Sequence, residues 1–182
     1  MSIESEYLRG IIGTFTTYKD LAEKALAQVT DEQLVASLDD ESNSIAVMVK
    51  HLAGNLRSRW TDFLTADGEK PDRNRDAEFE VSATATRADL MKAWEAGWRC
   101  ALETLNTLGP DDLSRTVLIR GEPHIVVNAI GRQLTHAAYH VGQIVFLAKH
   151  YAGESWHNLS VPRGKSQEHN AEMLARSRGR GA

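Results

Sequence analysis

Two histidines, His136 and His140, are four residues apart in a segment whose apolar pattern predicts one long helix. Four helical residues rise about 6 Å and turn roughly 400°, so both imidazoles leave the same face about one turn apart. Ring nitrogens at this spacing can reach one metal ion at ~2.1 Å. His51, far upstream on another predicted helix, could supply a third ligand. The pair lacks the glutamate of a His-Glu-x-x-His protease motif.

Amide side chains accompany the histidines on both predicted helices. At about 100° per residue, His140 and His136 lie roughly 80° and 120° from the centre of the apolar stripe, and Gln143 shares their flank. Asn55 follows His51 by about one turn. We expect these flanks to meet in a cleft open to water, where Asn55 and Gln143 orient the ligands or a bound nucleophile. The alternative is that the histidines are ordinary boundary residues of a helical protein.

The other histidines are weaker ligand candidates. His150 is some 15 Å along the helix from His140 at ~1.5 Å per residue, which is too far to share an ion. His157 and His169 fall in a polar tail and are expected to be solvated. His124 precedes the last long helix and could approach the mouth of the cleft.

Three further side chains are candidates for the cleft on residue type. Arg120 and Arg163 could hold an anionic group of a substrate. Trp156 follows the last long helix and could cover the cleft.

Composition excludes several classes of protein. The 182 residues are 42% hydrophobic and 25% charged, as expected for one globular domain. The formal charge of −4, without an internal basic cluster, disfavours nucleic-acid binding. Cys100 is the only cysteine, so neither an intrachain disulfide nor a thiolate-rich zinc site can form. No apolar run approaches ~20 residues, and we expect no signal peptide, no membrane partner and a cytoplasmic protein.

Apolar periodicity predicts four long helices, hence an all-α four-helix bundle. A short hairpin or extended excursion is expected before the last of them. The chain is expected to be one domain over residues 1–182, with a polar tail from about residue 152 and a connection over residues 67–84 long enough for a crossover. The helices are predicted at residues 3–28, 45–66, 86–109 and 127–151, with a short turn from Thr30, a loop at 68–80, the excursion at 115–126 and a final short helix at 164–176.

The chain resembles the DinB/YfiT-like superfamily of metal-dependent enzymes over nearly its whole length. The resemblance is carried by residues 44–55 (SIAVMVKHLAGN), 135–144 (THAAYHVGQI) and 159–166 (LSVPRGKS). It implies an up-down-down-up four-helix bundle in which three histidines bind a divalent metal, with zinc or nickel the commonest occupants. The ligands at matching positions would be His51, His136 and His140. Relatives include bacillithiol transferases and mycothiol-dependent isomerases, and dimers are common among them.

The leading functional hypothesis is therefore a transferase in which the metal activates a low-molecular-weight thiol toward a small electrophilic substrate. A close alternative is metal-dependent hydrolysis, with water in place of the thiol. A third is a non-catalytic metal-binding stress-response protein. The sequence contains no feature that names the substrate or the metal, because three imidazoles suit zinc, nickel, copper and iron alike.

Overall fold

The computed structural model describes residues 2–81 and 86–179, and these are mostly helical. They also contain one two-stranded antiparallel sheet and short 3-10 turns at Asp76–Phe79, Pro110–Ser114 and Gly153–Ser155. The helices are α1 (Ile3–Leu26), α2 (Asp31–Val35), α3 (Ile45–Trp60), α4 (Arg87–Thr107), α5 (Val126–Ala152) and α6 (Ser166–Gly179). Residues 82–84 of the long connection, and Arg180 at the basic end of the tail, lie outside the described residues.

Local side-chain caps start the helices. The hydroxyl of Ser44 accepts the backbone N–H of Val47 and begins α3. Thr86 and Asp89 form a reciprocal capping box at the start of α4. These caps satisfy amide donors that the first helical turn leaves without a partner.

The second long helix is shorter than predicted. The sequence pattern extends it to residue 66, whereas α3 ends at Trp60. Thr61 is extended, with ψ at 126°, and Asp62 takes a left-handed φ of 49° that a helix does not continue through. The apolar residues beyond, such as Phe63, pack on the core from an irregular segment.

The core lies between α1, α3, α4 and α5. Its largest buried side chains are three tryptophans and Phe15, whose ring meets Trp60 and Trp98 edge-on at centroid distances of 6.0 and 6.2 Å. Edge-to-face contacts of this kind contribute about 0.5–1.5 kcal/mol beyond the burial of apolar area. Through these rings, α1 packs against both α3 and α4.

Helices α3 and α4 approach each other closely at Gly97. A Cβ atom at this position would lie 2.6 Å from the carbonyl oxygen of Ala53, so only glycine fits without a shift of backbone. Further along, the hydroxyl of Thr104 donates to the carbonyl of Trp60 over 3.1 Å. From the first contact to the second, the contacting residue moves toward the C-terminus on both helices, from Ala53 to Trp60 on α3 and from Gly97 to Thr104 on α4. The two helices therefore run in the same direction.

The predicted excursion is a hairpin of β1 (Thr116–Ile119) and β2 (Glu122–Ile125). Its two turn residues, Arg120 and Gly121, have φ of 57° and 75°, as a type I′ turn requires. Pro123 is tolerated because each strand of a two-stranded sheet has a free edge.

Asp67 ties this hairpin to the segment that follows α3. Its carboxylate accepts the backbone N–H groups of Arg120 at 2.8 Å and Gly121 at 2.7 Å. Nearby, the N–H of Gly68 donates to the carbonyl of Leu118 over 2.8 Å. The hairpin turn is thereby held beside the C-terminal end of α3.

The tail after α5 contributes little to the core. Helix α6 contains no buried residue, whereas Trp156 and Leu159 before it are partly buried against the core. Among the described helices, none combines the length and the apolar character needed to span a bilayer.

Candidate metal centre

Three imidazoles from two helices converge at one point. His51 comes from the middle of α3, and His136 and His140 come from consecutive turns of α5. One ring nitrogen from each lies within 4.8 Å of the others. The Nε2 atoms of His51 and His136 are 3.3 Å apart, close to the roughly 3.4 Å between two nitrogens that bind one tetrahedral ion at ~2.1 Å. Three nearby histidines could therefore hold a metal ion here.

Packing of α3 against α5 brings the histidines together. His51 is 5% exposed and lies against the ring of Phe79 at a centroid distance of 4.9 Å, whereas His136 and His140 are half-buried. Asn55, one turn after His51, accepts a hydrogen bond from Gln133, which precedes His136. Later residues of α3 thus meet earlier residues of α5, and the two helices run antiparallel.

A buried carboxylate orients the first imidazole. Oε2 of Glu78 lies 2.8 Å from Nδ1 of His51, and the same carboxylate accepts Nε and Nη2 of Arg73 at 2.8 and 2.9 Å. Burial alone would raise the pKa of Glu78, but the hydrogen bonds from Arg73 and His51 outweigh burial and lower it. Because Glu78 is ionised, Nδ1 of His51 donates, and Nε2 is left with its lone pair toward the other histidines.

Gly54 makes room for this carboxylate. A Cβ atom at residue 54 would lie 2.3 Å from Oε1 of Glu78. The carboxylate cannot swing aside without losing its contacts to Arg73 and His51. A glycine in the middle of α3 is therefore required by the carboxylate that it faces.

The other two histidines differ in their hydrogen bonds. Nδ1 of His140 lies 2.9 Å from Oε1 of Gln143, three residues later on α5, so it donates to the amide oxygen. This bond leaves Nε2 of His140 free to bind a metal. Nδ1 of His136 is buried and has no hydrogen-bond partner among residues 2–81 and 86–179.

Burial keeps the α5 histidines neutral. It lowers the pKa of His136 to about 3, with smaller contributions from His140 and His51. Burial also lowers the pKa of His140, with a further contribution from His51. Neutral imidazoles have the lone pairs that metal coordination requires, so at pH 7 these two ligands need not first lose a proton.

A cavity of about 190 Å³ opens at one side of the histidine cluster, and His140 is not among the residues that line it. His51 and His136 line it, together with Asn55, Gln133 and Arg120. Asn55 was expected to orient a ligand or a bound nucleophile. Its hydrogen bond goes to Gln133 and not to an imidazole, so Asn55 does not orient a ligand directly. From the cavity wall, its side chain can still contact a nucleophile bound in the cavity.

The remaining sequence candidates lie elsewhere. Among the described residues that line the cavity, neither His124, Arg163 nor Trp156 is present, and Trp156 packs on the core instead. His150 is exposed at the far end of α5.

Sequence reasoning missed the buried pair Glu78 and Arg73. Both fall in the stretch predicted as a loop, where no periodicity singles out one of the chain's 25 acidic residues. It also missed Arg59, which lines the cavity, although a signal was available. His51, Asn55 and Arg59 follow each other at intervals of four and so share one flank of α3.

Residues 2–165 match the family described as "Protein of unknown function (DUF1572)". No curated protein matches the chain.

Proposed function

The chain belongs to the DUF1572 family of proteins of unknown function, and on that premise we propose that it is a metal-dependent enzyme of the DinB/YfiT-like superfamily. The metal ligands are His51, His136 and His140. The observation that carries the proposal is the convergence of these three imidazoles beside a cavity of about 190 Å³. A catalytic metal needs three protein ligands and an open position, and the cavity leaves space for it.

We also infer the up-down-down-up four-helix bundle of that superfamily. The phenol of Tyr7, near the start of α1, donates to the carbonyl of Val127 at the start of α5. Beyond the other ends of these helices, Gln28 and His157 exchange hydrogen bonds. These contacts support a parallel pair of α1 and α5. The antiparallel pairing of α3 with α5, and the parallel pairing of α3 with α4, fit the same topology.

The protein's own groups hold the ligands in place. Glu78 accepts the Nδ1 proton of His51, and Gln143 accepts that of His140, so both rings present Nε2. When bound, a divalent zinc or nickel ion lowers the pKa of a coordinated thiol or water and so supplies a nucleophile near neutral pH. Asn55 and Gln133 are hydrogen-bonded to each other in the cavity wall, and we propose that they orient that nucleophile.

We propose that the nucleophile is a low-molecular-weight thiol and the reaction a transfer of that thiol to a small electrophile. The thiol follows from the superfamily, in which bacillithiol and mycothiol serve this role. Water in the same position would make the protein a hydrolase. The homodimer implied by the superfamily belongs to the same proposal and is tested by light scattering on the purified chain.

Metal content tests the ligand set. We expect about one zinc or nickel ion per wild-type chain by elemental analysis, and loss of the ion in His51→Ala, His136→Ala and His140→Ala. His150→Ala, an exposed histidine on the same helix as two of the ligands, is the matched control and should keep the ion. Wild-type metal content in all three ligand variants would end the proposal.

Turnover tests the reaction. The metal-loaded protein is incubated with 1-chloro-2,4-dinitrobenzene, in which thiolate attack displaces chloride, with and without bacillithiol or mycothiol. Acceleration that requires both thiol and metal supports the transferase. Metal-dependent hydrolysis of p-nitrophenyl acetate without thiol supports the hydrolase instead. Stoichiometric metal with neither activity supports a non-catalytic metal-binding protein.

A further inference from the structure

The wall of the cavity beside the histidines is strongly basic. Five of its side chains are arginines, and among the described residues that line it there is no aspartate or glutamate. The whole chain has a formal charge of −4, so this concentration of positive charge opposes the charge of the protein as a whole. The arginines are Arg59, Arg73, Arg75, Arg120 and Arg132.

Sequence spacing relates two of these arginines to the metal ligands. On α3, Arg59 follows His51 by eight residues, and on α5, Arg132 precedes His136 by four. Because α3 and α5 run antiparallel, both arginines lie on the same side of the histidines, about 12 Å and about 6 Å away along their helices at ~1.5 Å per residue. A small molecule that contacts the arginines can therefore also reach the imidazoles.

Arg59 is a buried arginine whose hydrogen-bond donors are only partly satisfied by the described residues. It is 8% exposed, and its Nη2 lies 3.2 Å from Oε2 of Glu69. Its Nη1 is buried and has no acceptor among the residues that the structure describes. The indole N–H of Trp60, another lining residue, is buried and lacks an acceptor in the same part of the chain. Buried donors without acceptors are rare in proteins and indicate an acceptor that the protein itself does not supply.

The carboxylates behind the wall do not neutralise the arginines. Glu69 is shared by Arg59 at 3.2 Å, Arg73 at 3.3 Å and Arg120 at 3.0 Å, and Glu78 is paired with Arg73. Arg132 forms no ion pair within the described ranges. The cavity therefore keeps an excess of positive charge in a partly buried place, where screening by salt is weaker than at the surface.

The electrostatics of Arg59 agree with this excess. Burial lowers its pKa, and Glu69 opposes that effect. The neighbouring charges of Arg73 and Arg120, among others, lower the pKa of Arg59 further. An anion in the cavity would relieve this repulsion.

We propose that the cavity binds the anionic group, a carboxylate or phosphate, of a small organic substrate, with Arg59 and Arg132 as its main partners. Guanidinium groups suit such anions because their N–H donors match two oxygens at once. The rings of Trp60 and Phe63, whose centroids are 4.6 Å apart, offer the apolar part of the ligand a surface. A volume of about 190 Å³ is below the ~300–1,000 Å³ usual for drug-sized ligands, so the anion is small. That this anion is the substrate rests on the proposed function, whereas its binding does not need the metal.

The test compares two probes of equal shape and different charge, benzoate and its neutral analogue benzamide. Calorimetric titration of the full chain, both zinc-loaded and treated with a chelator, should show saturable benzoate binding in both forms. Benzamide should bind at least about tenfold more weakly, the size expected for losing hydrogen bonds between charged groups. Equal affinities for the two probes would overturn the proposal.

Three variants locate the binding site. Arg132→Gln, at an exposed position, should weaken benzoate binding about fivefold to tenfold, and Arg59→Gln should weaken it more. Arg99→Gln, exposed on α4 and outside the cavity, makes the same change of charge and should leave the affinity unchanged. Because Arg59 is buried, circular dichroism must show that its variant folds, and the Arg132 variant decides the question on its own if it does not.

A last variant separates this proposal from the proposed function. His140→Ala should lose the metal and retain benzoate binding. If benzoate binding is lost with the metal and is unaffected by Arg132→Gln, the anion binds the metal and the arginine cavity is not its site. If the chain binds no metal but binds benzoate through the arginines, the cavity proposal stands and the metal-dependent function falls.

Discussion

Oε2 of Glu78 lies 2.8 Å from Nδ1 of His51, and both side chains are almost fully buried. The contact joins a 3-10 turn to the middle of α3 across 27 residues of sequence. It determines which nitrogen of the imidazole faces His136 and His140. The carboxylate is in turn fixed by Arg73, so one side chain of the proposed metal site is held by a buried hydrogen bond to Glu78 and, behind it, by the buried ion pair of Glu78 with Arg73.

Replacing Glu78 should weaken metal binding without removing a ligand. Glu78→Gln keeps the size of the side chain but loses the charge that favours the Nδ1 proton of His51. Partners of this kind typically contribute 10- to 100-fold in metal affinity. Competition with a calibrated chelator measures the change. The control is Glu80→Gln, an exposed neighbour, and equal affinities in the two variants would show that the contact does not support the metal site.

Gly54→Ala should destabilise the protein, although alanine normally favours a helix interior over glycine by about 0.5–1 kcal/mol. The new methyl group would displace Glu78 from Arg73 and His51, and breaking a buried ion pair costs about 3–5 kcal/mol. Gly13→Ala is the matched control, since a Cβ there meets nothing within 4 Å and should be neutral or stabilising. Urea denaturation of both variants reports the sign, and a stabilised Gly54→Ala would contradict the role assigned to this glycine.

The metal-free protein should lose stability on acidification because of His136. Its pKa is lowered to about 3 in the folded chain, chiefly by burial, against about 6.5 in an unfolded chain. Between these values the unfolded state binds the proton and the folded state does not, so the free energy of unfolding falls as the pH falls from about 6.5 toward 3.

His136→Gln should show a smaller loss over this range, whereas His150→Gln, exposed, should follow the wild type. Denaturant titrations with chelator at several pH values measure these slopes. Identical slopes in the wild type and His136→Gln would show that His136 is readily protonated in the folded protein.

Arg120 has a left-handed backbone conformation that asparagine adopts more readily than arginine. Its φ of 57° lies in the left-handed region, where asparagine is favoured in type I′ turns. Arg120→Asn should therefore leave the free energy of unfolding within about 1 kcal/mol of wild type, because relief of backbone strain offsets loss of the exposed pair with Glu69. Benzoate affinity should fall in the same variant, and an unchanged affinity would show that Arg120 lines the cavity without contributing to anion binding.

The long helices were predictable because their signals are local and periodic. Apolar residues at intervals of three and four define α1, α4 and α5, and Ser44 and Thr86 mark helix starts through hydrogen bonds within one turn. The end of α3 was not predictable in this way, because the apolar pattern continues to the buried Phe63, whereas the left-handed φ of Asp62 leaves no signal in that pattern.

The site was predictable only in part, because only some of its residues are marked by local, periodic signals in the sequence. The spacing of His136 and His140 indicates a shared face, and His51 joins them because two helices pack. Glu78 acts across a long connection, and its importance depends on burial and on Arg73, neither of which leaves a pattern in the sequence. The arginine cavity likewise emerges only when α3, α5 and the hairpin are brought together.

The tight contact between Gly97 and Ala53 has a consequence for metal preference. Ala53 is two residues from His51 and about 200° around the helix from it, so the face of α3 opposite the imidazole rests against α4. A larger residue at position 97 would push α3 toward α5 and change the spacing of the nitrogens. In the proposed metal site, the preference between zinc and nickel should then depend on a helix that supplies no ligand, and comparing the two affinities in Gly97→Ala tests this.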